Sequence, residues 1–248
     1  MDRFEGKVVL ITGAGSGIGR ATAQRIASEG GTIFCVDLNI ETARETVASL
    51  DSKGGGAAHA CDVANAEQIE ACVAACLTEC GRLDALVNMA GLLRFERTHE
   101  MSLESWQQVI NINLTGTWLM CKAAIPHLLE SKGNIVNAAS TASQAGLNWG
   151  AAYSASKGGV LAMTRSIAVE YAKQGLRANT ISPGDIQTNM TNDISMPGNL
   201  EMDEYTRISS RTGARGPEVV ASVIAMLASD DGAHITGEDV RMDGGTLA

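Results

Sequence analysis

Short, mostly apolar runs alternate with longer segments of helical period along the whole chain. Seven β-rich runs predict strands, at Val8–Thr12, Thr32–Val36, Ala57–Cys61, Ala85–Asn88, Asn134–Ala138, Arg177–Ile181 and Asp239–Met242. The segments between them predict helices near 17–29, 41–51, 66–79, 102–130, 152–174 and 217–228. Strands that alternate with helices are typical of β-α-β units, and apolar strands indicate a sheet covered on both faces. The pattern therefore predicts an α/β fold: one doubly wound domain over 1–248, with a predominantly parallel seven-stranded sheet and helices on both faces.

The least regular stretch of the chain runs over 185–216, where proline, glycine and mixed polarity interrupt every period. A long irregular segment inside a compact fold is usually functional. We therefore expect 185–216 to form a lid over a substrate. The segment carries three methionines whose adaptable thioethers suit an apolar substrate, although surface or interface packing explains them equally well: Met190, Met196 and Met202.

Composition narrows the classes of function. The chain has 248 residues, with 19 basic and 28 acidic side chains and a net charge of −9. This charge argues against nucleic acid, which needs a basic face, and against docking on anionic membrane. The first residues contain no apolar segment of a signal peptide, and no stretch is apolar enough for a membrane span. The sequence thus predicts a cytoplasmic globular protein that acts on a small molecule.

Six cysteines are present, and none forms a C-x-x-C pair. Cys72, Cys76 and Cys80 recur every four residues and so share a helix face. Without a secretion signal we expect reduced, buried thiols that pack as small hydrophobes. A metal or redox role is the alternative, but no histidine lies near them in sequence, and no metal site is predicted.

The first predicted strand runs directly into a glycine-rich turn, residues 12–19, and a helix follows. Gly13, Gly17 and Gly19 give the spacing G-x-x-x-G-x-G. Glycines let the backbone approach a pyrophosphate, and the helix N-terminus offers free N–H groups and a positive dipole end. A merely flexible loop is the alternative, which the flanking strand and helix disfavour. The turn predicts a dinucleotide site.

Asp37 ends the second predicted strand, where a carboxylate can accept hydrogen bonds from both ribose hydroxyls of an adenosine. The same carboxylate would repel a 2′-phosphate. Neither Leu38, which follows it, nor Ser16, within the glycine-rich turn, supplies a positive charge. The cofactor is therefore predicted to be NAD rather than NADP.

Tyr153 and Lys157 form the pattern Y-x-x-x-K, which places both side chains on one helix face. Ser140 lies at the end of a predicted strand, where an open α/β sheet holds its ligand. A tyrosine of ordinary pKa near 10 is too weakly ionised to be a base at neutral pH. A lysine ammonium beside it favours the tyrosinate, and the serine hydroxyl can hold the substrate oxygen. The set predicts proton transfer coupled to hydride transfer.

With these motifs the sequence resembles the classical short-chain dehydrogenases/reductases over essentially its whole length. The resemblance rests on residues 12–19 (the family's TGxxxGIG), Asp62 followed by Val63, Asn88-Met89-Ala90-Gly91 (NNAG), Asn113, Ser140, Tyr153, Lys157, Pro183-Gly184-Asp185-Ile186-Gln187-Thr188 (PGxIxT) and Asp243-Gly244-Gly245. It implies a Rossmann-type domain and a catalytic tetrad of Asn113, Ser140, Tyr153 and Lys157, in which Asn113 positions a relay water.

The resemblance also implies which residues contact the cofactor: Gly13, Ser16, Gly17, Ile18, Gly19, Asp37, Leu38, Asp62, Val63, Asn88, Ala90, Gly91, Tyr153, Lys157, Pro183, Gly184, Ile186 and Thr188. Met89 departs from the motif, since the family has a second asparagine there. Asp62 could instead cap the helix that begins near Asn65, and Asn113 could be an asparagine satisfied by backbone groups. Thr188 could likewise be an ordinary helix cap.

The resemblance implies an NAD-dependent oxidoreductase that interconverts a secondary alcohol and a ketone. Leu93, Leu147, Trp149 and Met190 are the candidate substrate contacts and favour an apolar or cyclic small molecule; packing explains Leu147 and Trp149 equally well. A 3-oxoacyl-carrier-protein-type reductase is the alternative within the family, and a non-catalytic cofactor-binding regulator is the other. Family members usually pair through the helix that carries Tyr153, so a homotetramer is expected.

Overall fold

Seven parallel strands form one sheet in the computed structural model, which describes residues 2–50, 54–188, 190 and 209–248. The strands are β1 (Val8–Thr12), β2 (Thr32–Asp37), β3 (Gly56–Ala60), β4 (Ala85–Asn88), β5 (Asn134–Ala138), β6 (Arg177–Pro183) and β7 (Asp239–Met242). Their spatial order is β3-β2-β1-β4-β5-β6-β7. The predicted doubly wound α/β sheet is confirmed, with the predicted strands shifted by at most two residues at their ends.

Helices connect the strands and cover both faces of the sheet. Those within the described residues are α1 (Gly17–Ser28), α2 (Ile40–Ala48), α3 (Ala66–Cys80), α4 (Leu103–Ile110), α5 (Gly116–Ser131), α6 (Ala151–Tyr171) and α7 (Glu218–Ala228). Local chemistry sets several of their starts. The side chains of Asn39, Asn65 and Ser102 accept hydrogen bonds from the first-turn N–H groups of α2, α3 and α4.

The single helix predicted over 102–130 is interrupted in the structure. A π-helical turn, Asn111–Thr115, separates α4 from α5. Apolar periodicity continues through this turn, which is why sequence reasoning sees one helix. A π-turn inserts an extra residue into the helical ladder and is frequent at functional sites. Here it places Asn113, which is fully buried, toward the interior of the domain.

Alternate residues of the central strands feed two cores, one on each face of the sheet. Leu10, Phe34 and Leu86 belong to the core covered by α3, α5 and α6. Val9 and Val87 belong to the opposite core, covered by α1 and α7. The strands therefore read as unbroken apolar runs because both of their faces are buried.

The cysteines lie in these cores or beside them. Cys72 and Cys76 of α3 are fully buried, whereas Cys80 is partly exposed, and all six thiols are unpaired. Burial raises the pKa of Cys76 to about 12, so this thiol is neutral and packs as a small hydrophobe. Within the described ranges, no three His, Cys, Asp or Glu side chains are grouped as metal ligands.

The two ends of the predicted lid, 185–216, lie against each other. The Gln187 N–H donates to the Arg215 carbonyl oxygen at 2.8 Å, and the Arg215 N–H donates to the Asp185 carbonyl oxygen at 3.3 Å. The intervening Met196 and Met202 lie outside the described residues, so the lid stays a prediction. No helix in the described part of the chain combines the length and the hydropathy that a bilayer span needs.

The strand order reverses between β1 and β4, since β2 and β3 lie on one side of β1 and the later strands on the other. In an open α/β sheet the loops separate at such a point and leave a crevice beyond the carboxyl ends of the strands. The glycine-rich turn follows β1, and Ala90 and Gly91 follow β4. The fold therefore brings these two motifs to one crevice.

Candidate active site

A cavity of about 510 Å³ opens at the carboxyl ends of the strands. Most of the residues predicted to contact a cofactor or substrate line it: Gly13, Ser16, Gly17, Ile18, Gly19, Asp37, Leu38, Asp62, Val63, Ala90, Gly91, Leu93, Ser140, Leu147, Tyr153, Lys157, Pro183, Gly184, Ile186, Thr188 and Met190. Residues from across the whole chain thus converge on one space, which is large enough for a dinucleotide end and a small substrate.

The glycine-rich turn packs against the loop after β4 so closely that its first glycine admits no side chain. A Cβ on Gly13 would lie 2.8 Å from the Ala90 backbone nitrogen, and its φ of +65° is itself strained for other residues. The Thr12 hydroxyl oxygen accepts hydrogen bonds from the N–H groups of Met89 (3.1 Å) and Ala90 (3.2 Å). The loop that carries the unusual Met89 is therefore held through its backbone.

The N-terminus of α1 offers free donors toward the cavity. Ser16 is the N-cap residue, yet its side chain makes no capping hydrogen bond. The first N–H groups of a helix without a side-chain cap remain available to an anion. A Cβ on Gly17 would lie 3.2 Å from Thr188 Cγ2, so the segment after β6 closes on this turn. These features fit a pyrophosphate.

Asp37 is fixed at the other side of the turn. Its carboxylate oxygens accept hydrogen bonds from the Gly15 N–H at 2.8 Å and the Asn39 N–H at 3.1 Å. The next residue, Leu38, is 74% exposed and lines the cavity, an apolar surface suited to adenine. The guanidinium of Arg20 donates to the Gly15 carbonyl oxygen and to the Glu45 carboxylate. This arrangement fits an adenosine with free ribose hydroxyls.

Asp62 and Val63 line the cavity just after β3. The Asp62 carboxylate accepts a hydrogen bond from the Ala64 N–H at 2.9 Å, whereas Asn65 caps α3 through the Gln68 N–H at 3.1 Å. The capping role considered for Asp62 therefore belongs to Asn65. Asp62 therefore does not cap α3 and lines the cavity.

Ser140 and Tyr153 meet at the opposite end of the cavity. Ser140 follows β5, and its hydroxyl oxygen accepts the Ala142 N–H at 3.1 Å, which fixes the side chain. Burial raises the pKa of Tyr153, and a hydrogen bond with Ser140 partly opposes this rise. Burial therefore outweighs the Ser140 hydrogen bond, and the pKa of the phenol is raised rather than lowered as the sequence predicts. A positive charge beside the phenol favours its ionised form.

Lys157 lies one helical turn after Tyr153, with Nζ 5.8 Å from the centre of the tyrosine ring. Its ammonium donates to the Ala138 carbonyl oxygen at 2.7 Å. The side chain is buried, and desolvation lowers its pKa to about 8. The folded protein therefore keeps a positive charge near the phenol although burial disfavours the charged form of Lys157.

The amide of Asn113 is engaged within the protein. Its oxygen accepts the Leu92 N–H at 2.7 Å, and its nitrogen donates to the Leu92 carbonyl oxygen at 2.9 Å and to Ser156 Oγ at 3.0 Å. Both amide hydrogens are used, which leaves one lone pair of the oxygen for a water. The backbone contacts considered for Asn113 exist, but they tie the π-turn between α4 and α5 to the loop after β4.

Asn88 does not line the cavity, in contrast to the expected cofactor contact. It lies opposite Asn137 in the β4–β5 register, so both side chains point to the same face of the sheet. Its amide nitrogen donates to Asn137 Oδ1 at 2.9 Å, and the Asn137 amide nitrogen donates to Thr164 Oγ1 at 2.9 Å. Asn88 therefore supports the strands beneath the site.

The substrate end of the cavity is largely apolar. Leu93, Leu147 and Met190 line it as expected, together with Phe95 and Ile112. Trp149 is not part of the lining. Its backbone has a φ of +55°, and its carbonyl oxygen accepts the Glu96 N–H at 2.8 Å, which ties the two loops together.

The last residues of the chain form a wall that sequence reasoning missed. Thr246 and Leu247 line the cavity. Both oxygens of the Asp243 carboxylate accept backbone N–H groups, from Gly245 at 2.9 Å and Leu247 at 2.9 Å. Gly244, with a φ of +57°, also allows the reversal. The Asp-Gly-Gly sequence indicates a sharp turn, which is the signal that could have found this wall.

Comparisons with known proteins agree with this geometry. A family described as Enoyl-(Acyl carrier protein) reductase matches residues 13–246. The D-threitol dehydrogenase of Mycolicibacterium smegmatis is 40% identical over 98% of this chain and 94% of its own length. The meso-2,3-butanediol dehydrogenase of Serratia marcescens is 38% identical over 99% of this chain and 96% of its own length. A dehydrogenase/reductase structure from Sinorhizobium meliloti matches with a TM-score of 0.90, at 29% identity over 99% of this chain and 96% of that one.

The chain belongs to the classical short-chain dehydrogenase/reductase family. It is an oxidoreductase of a family that generally uses NAD or NADP.

Proposed function

We propose that the protein is an NAD-dependent enzyme that interconverts a secondary alcohol and a ketone on an apolar or cyclic small molecule. One observation carries the proposal. The same cavity is lined by Asp37 and the glycine-rich turn at one end and by Ser140, Tyr153 and Lys157 at the other. A dinucleotide bound along it would bring its reactive ring to the proton-transfer group.

The preference for NAD rests on Asp37. Its carboxylate, fixed by the Gly15 and Asn39 N–H groups, would accept ribose hydroxyls and repel a 2′-phosphate. Arg20, the cation on the first turns of α1, is already bound to Glu45 at 3.1 Å. Gly13, Gly17 and the donors of α1 would hold the pyrophosphate, and NAD when bound supplies the acceptor of the hydride.

The protein's own groups divide the proton chemistry. Ser140, held by the Ala142 N–H, would keep the substrate oxygen in place. Tyr153 would take the hydroxyl proton during oxidation and return it during reduction. Lys157, with its ammonium beside the phenol ring, would stabilise the tyrosinate and hold the nicotinamide ribose. Asn113 would fix the loop that carries Leu92, and its remaining lone pair would hold a relay water.

The lining around Tyr153 favours an apolar substrate. Leu93, Phe95 and Leu147 come from two loops, and Leu247 comes from the C-terminal turn. Apolar walls contribute binding in proportion to the area that they remove from water, whereas a polyol would leave its hydroxyl groups unpaired against them. A cyclic or branched alcohol would place its hydroxyl group at Ser140 and Tyr153 and its carbon skeleton against these apolar walls.

A homotetramer is part of the proposal. Trp106 of α4 and Trp118 of α5 are 37% and 47% exposed, and Val169 of α6 is 81% exposed. A contiguous exposed apolar surface is typical of an interface, and these three side chains lie on helices that contact one another. Two small residues of α6 differ in their surroundings: Ala152 is buried within the subunit, whereas a side chain on Gly158 would meet open space. Light scattering tests the assembly, and a monomer mass of 25.9 kDa at micromolar concentration would contradict it.

A panel of cyclic alcohols, linear secondary alcohols, polyols and the corresponding ketones, read by NADH absorbance, tests the function. Each substrate is assayed with NAD and with NADP. We expect the highest kcat/KM for a cyclic or branched secondary alcohol with NAD. A preference for polyols would contradict the substrate class, and comparable kcat/KM with NADP would contradict the cofactor. Activity only on acyl thioesters would favour the carrier-protein reductase instead.

A further inference from the structure

One buried hydroxyl joins α6, which carries Tyr153 and Lys157, to the π-turn that carries Asn113. Ser156 lies on α6, between Tyr153 and Lys157 in sequence, and is fully buried. Its hydroxyl donates to the Tyr153 carbonyl oxygen at 2.7 Å and accepts a hydrogen bond from the Asn113 amide at 3.0 Å. Nothing in the motifs considered above assigns Ser156 a role.

These bonds belong to a longer chain that crosses the site. Asn113 pairs with both backbone groups of Leu92, so its side chain substitutes for a peptide group against that loop. The path of hydrogen bonds therefore runs from the Tyr153 carbonyl oxygen through Ser156 and Asn113 to Leu92, which lines the cavity. The Asn113–Ser156 bond at the centre of this path is fully buried, whereas the bonds to Leu92 and to the Tyr153 carbonyl are partly buried. A buried hydrogen bond is strong, and a buried group left without a partner is costly.

We propose that Ser156 is a positioning residue that locks Tyr153 to Asn113 and, through Asn113, to the cavity loop at Leu92. The hydroxyl suits this role because it is a donor and an acceptor at once, which a buried link between a carbonyl and an amide requires. Removal of Ser156 Oγ leaves one Asn113 amide hydrogen without a partner. The amide then gains freedom to rotate, and the loop loses its fixed distance from the phenol. Small displacements of this kind cost rate rather than binding.

The neighbouring serine provides a matched control. Ser154 lies on the same turn of α6, and its hydroxyl is buried without a hydrogen-bond partner. Both Ser154→Ala and Ser156→Ala therefore remove a hydroxyl oxygen from α6. The Ser154 oxygen has no hydrogen-bond partner, whereas the Ser156 oxygen has two.

Hydrogen exchange tests the link without reference to activity. The Leu92 N–H donates to Asn113 Oδ1, so its exchange reports the order of that amide. We expect Ser156→Ala to speed exchange at Leu92 about tenfold, since a lost buried hydrogen bond costs on that scale, and Ser154→Ala to leave it unchanged. Equal exchange in the two variants would overturn the proposal. If Ser156→Ala does not fold, Ser156→Cys keeps the volume with a weak donor and carries the same comparison.

The kinetic consequence rests on the proposed function. With the substrate found by the panel, Ser156→Ala should lower kcat about tenfold while KM for NAD stays within about twofold of wild type. Ser154→Ala should retain the wild-type kcat, and Ser156→Thr, which keeps the hydroxyl, should recover most of it. Faster exchange at Leu92 with an unchanged kcat would overturn the positioning role. A wild-type protein inactive on every substrate would instead refute the proposed function, while the exchange comparison still decides the link.

Discussion

Replacement of Lys157 by methionine should make the protein more stable as it makes it less active. Lys157 is buried, and its pKa is lowered from 10.5 to about 8. A tenfold change in proton affinity is worth about 1.4 kcal/mol, so the folded protein holds this ammonium at a cost of about 3 kcal/mol near pH 7. Methionine has similar length and no charge, so it avoids this cost. The Ala138 carbonyl oxygen would lose its hydrogen-bond donor, which would cancel about 1 kcal/mol of the gain in stability. We expect a net stabilisation of about 2 kcal/mol.

The dependence on pH follows from proton binding in the two states. Between pH 8 and 10.5 the unfolded chain holds a proton on Lys157 more tightly than the folded protein does, so this residue makes stability rise with pH. Its cost of about 3 kcal/mol at pH 7 falls to about 1.4 kcal/mol at pH 9.5. Lys157→Met removes this contribution. The advantage of the variant over wild type should therefore shrink by about 2 kcal/mol across that range.

Urea denaturation at pH 7 and pH 9.5, at fixed protein concentration and without cofactor, measures the difference. Taking the difference between variant and wild type removes the contribution of the other groups that titrate in this range. Lys173→Met serves as the control because Lys173 is exposed and its charge stays in water. The reasoning would be refuted if Lys157→Met were no more stable than wild type at pH 7. It would also be refuted if the difference in the free energy of unfolding between variant and wild type were the same at both pH values.

Three further predictions concern the proton-transfer group, the cofactor and the turn. Tyr153→Phe should lower kcat about a thousandfold with NADH binding retained in fluorescence titration; near-wild-type turnover would exclude Tyr153 as the acid/base. Asp37→Ala, which removes the bonds to two N–H groups, should weaken NAD about tenfold and narrow the preference over NADP, as kcat/KM with each cofactor would report. Gly13 and Gly6 both have a positive φ, but a Cβ would lie 2.8 Å from backbone at Gly13 and would meet open space at Gly6. Thermal unfolding should therefore show that Gly13→Ala lowers the free energy of unfolding by about 2 kcal/mol more than Gly6→Ala does. Equal losses would mean that the turn tolerates the methyl group.

The fold was predictable because each strand and helix carries its own signal. Short β-rich runs bounded by glycine and polar residues marked all seven strands, and the largest error at a strand end was the two-residue extension of β6 to Pro183. The glycine-rich turn and Asp37 were recognisable because their residue types and their places after predicted strands are visible in the sequence itself. The π-turn at Asn111–Thr115 carried no such signal, because it contains neither glycine nor proline, the residues that usually mark a break in a helix.

What the sequence could not supply is the partner of each polar group. Asn88 matches a cofactor motif, yet the register of β4 against β5 turns its amide toward Asn137. Ser156 reads as an unremarkable helix residue until the fold places it beside Asn113, 43 positions away. Ser154 and Ser156 are two positions apart on α6, yet the hydroxyl of Ser154 has no hydrogen-bond partner and that of Ser156 has two. Sequence pattern identifies the groups proposed to perform the chemistry. The groups that hold them in place are defined by tertiary contacts, which only the fold reveals.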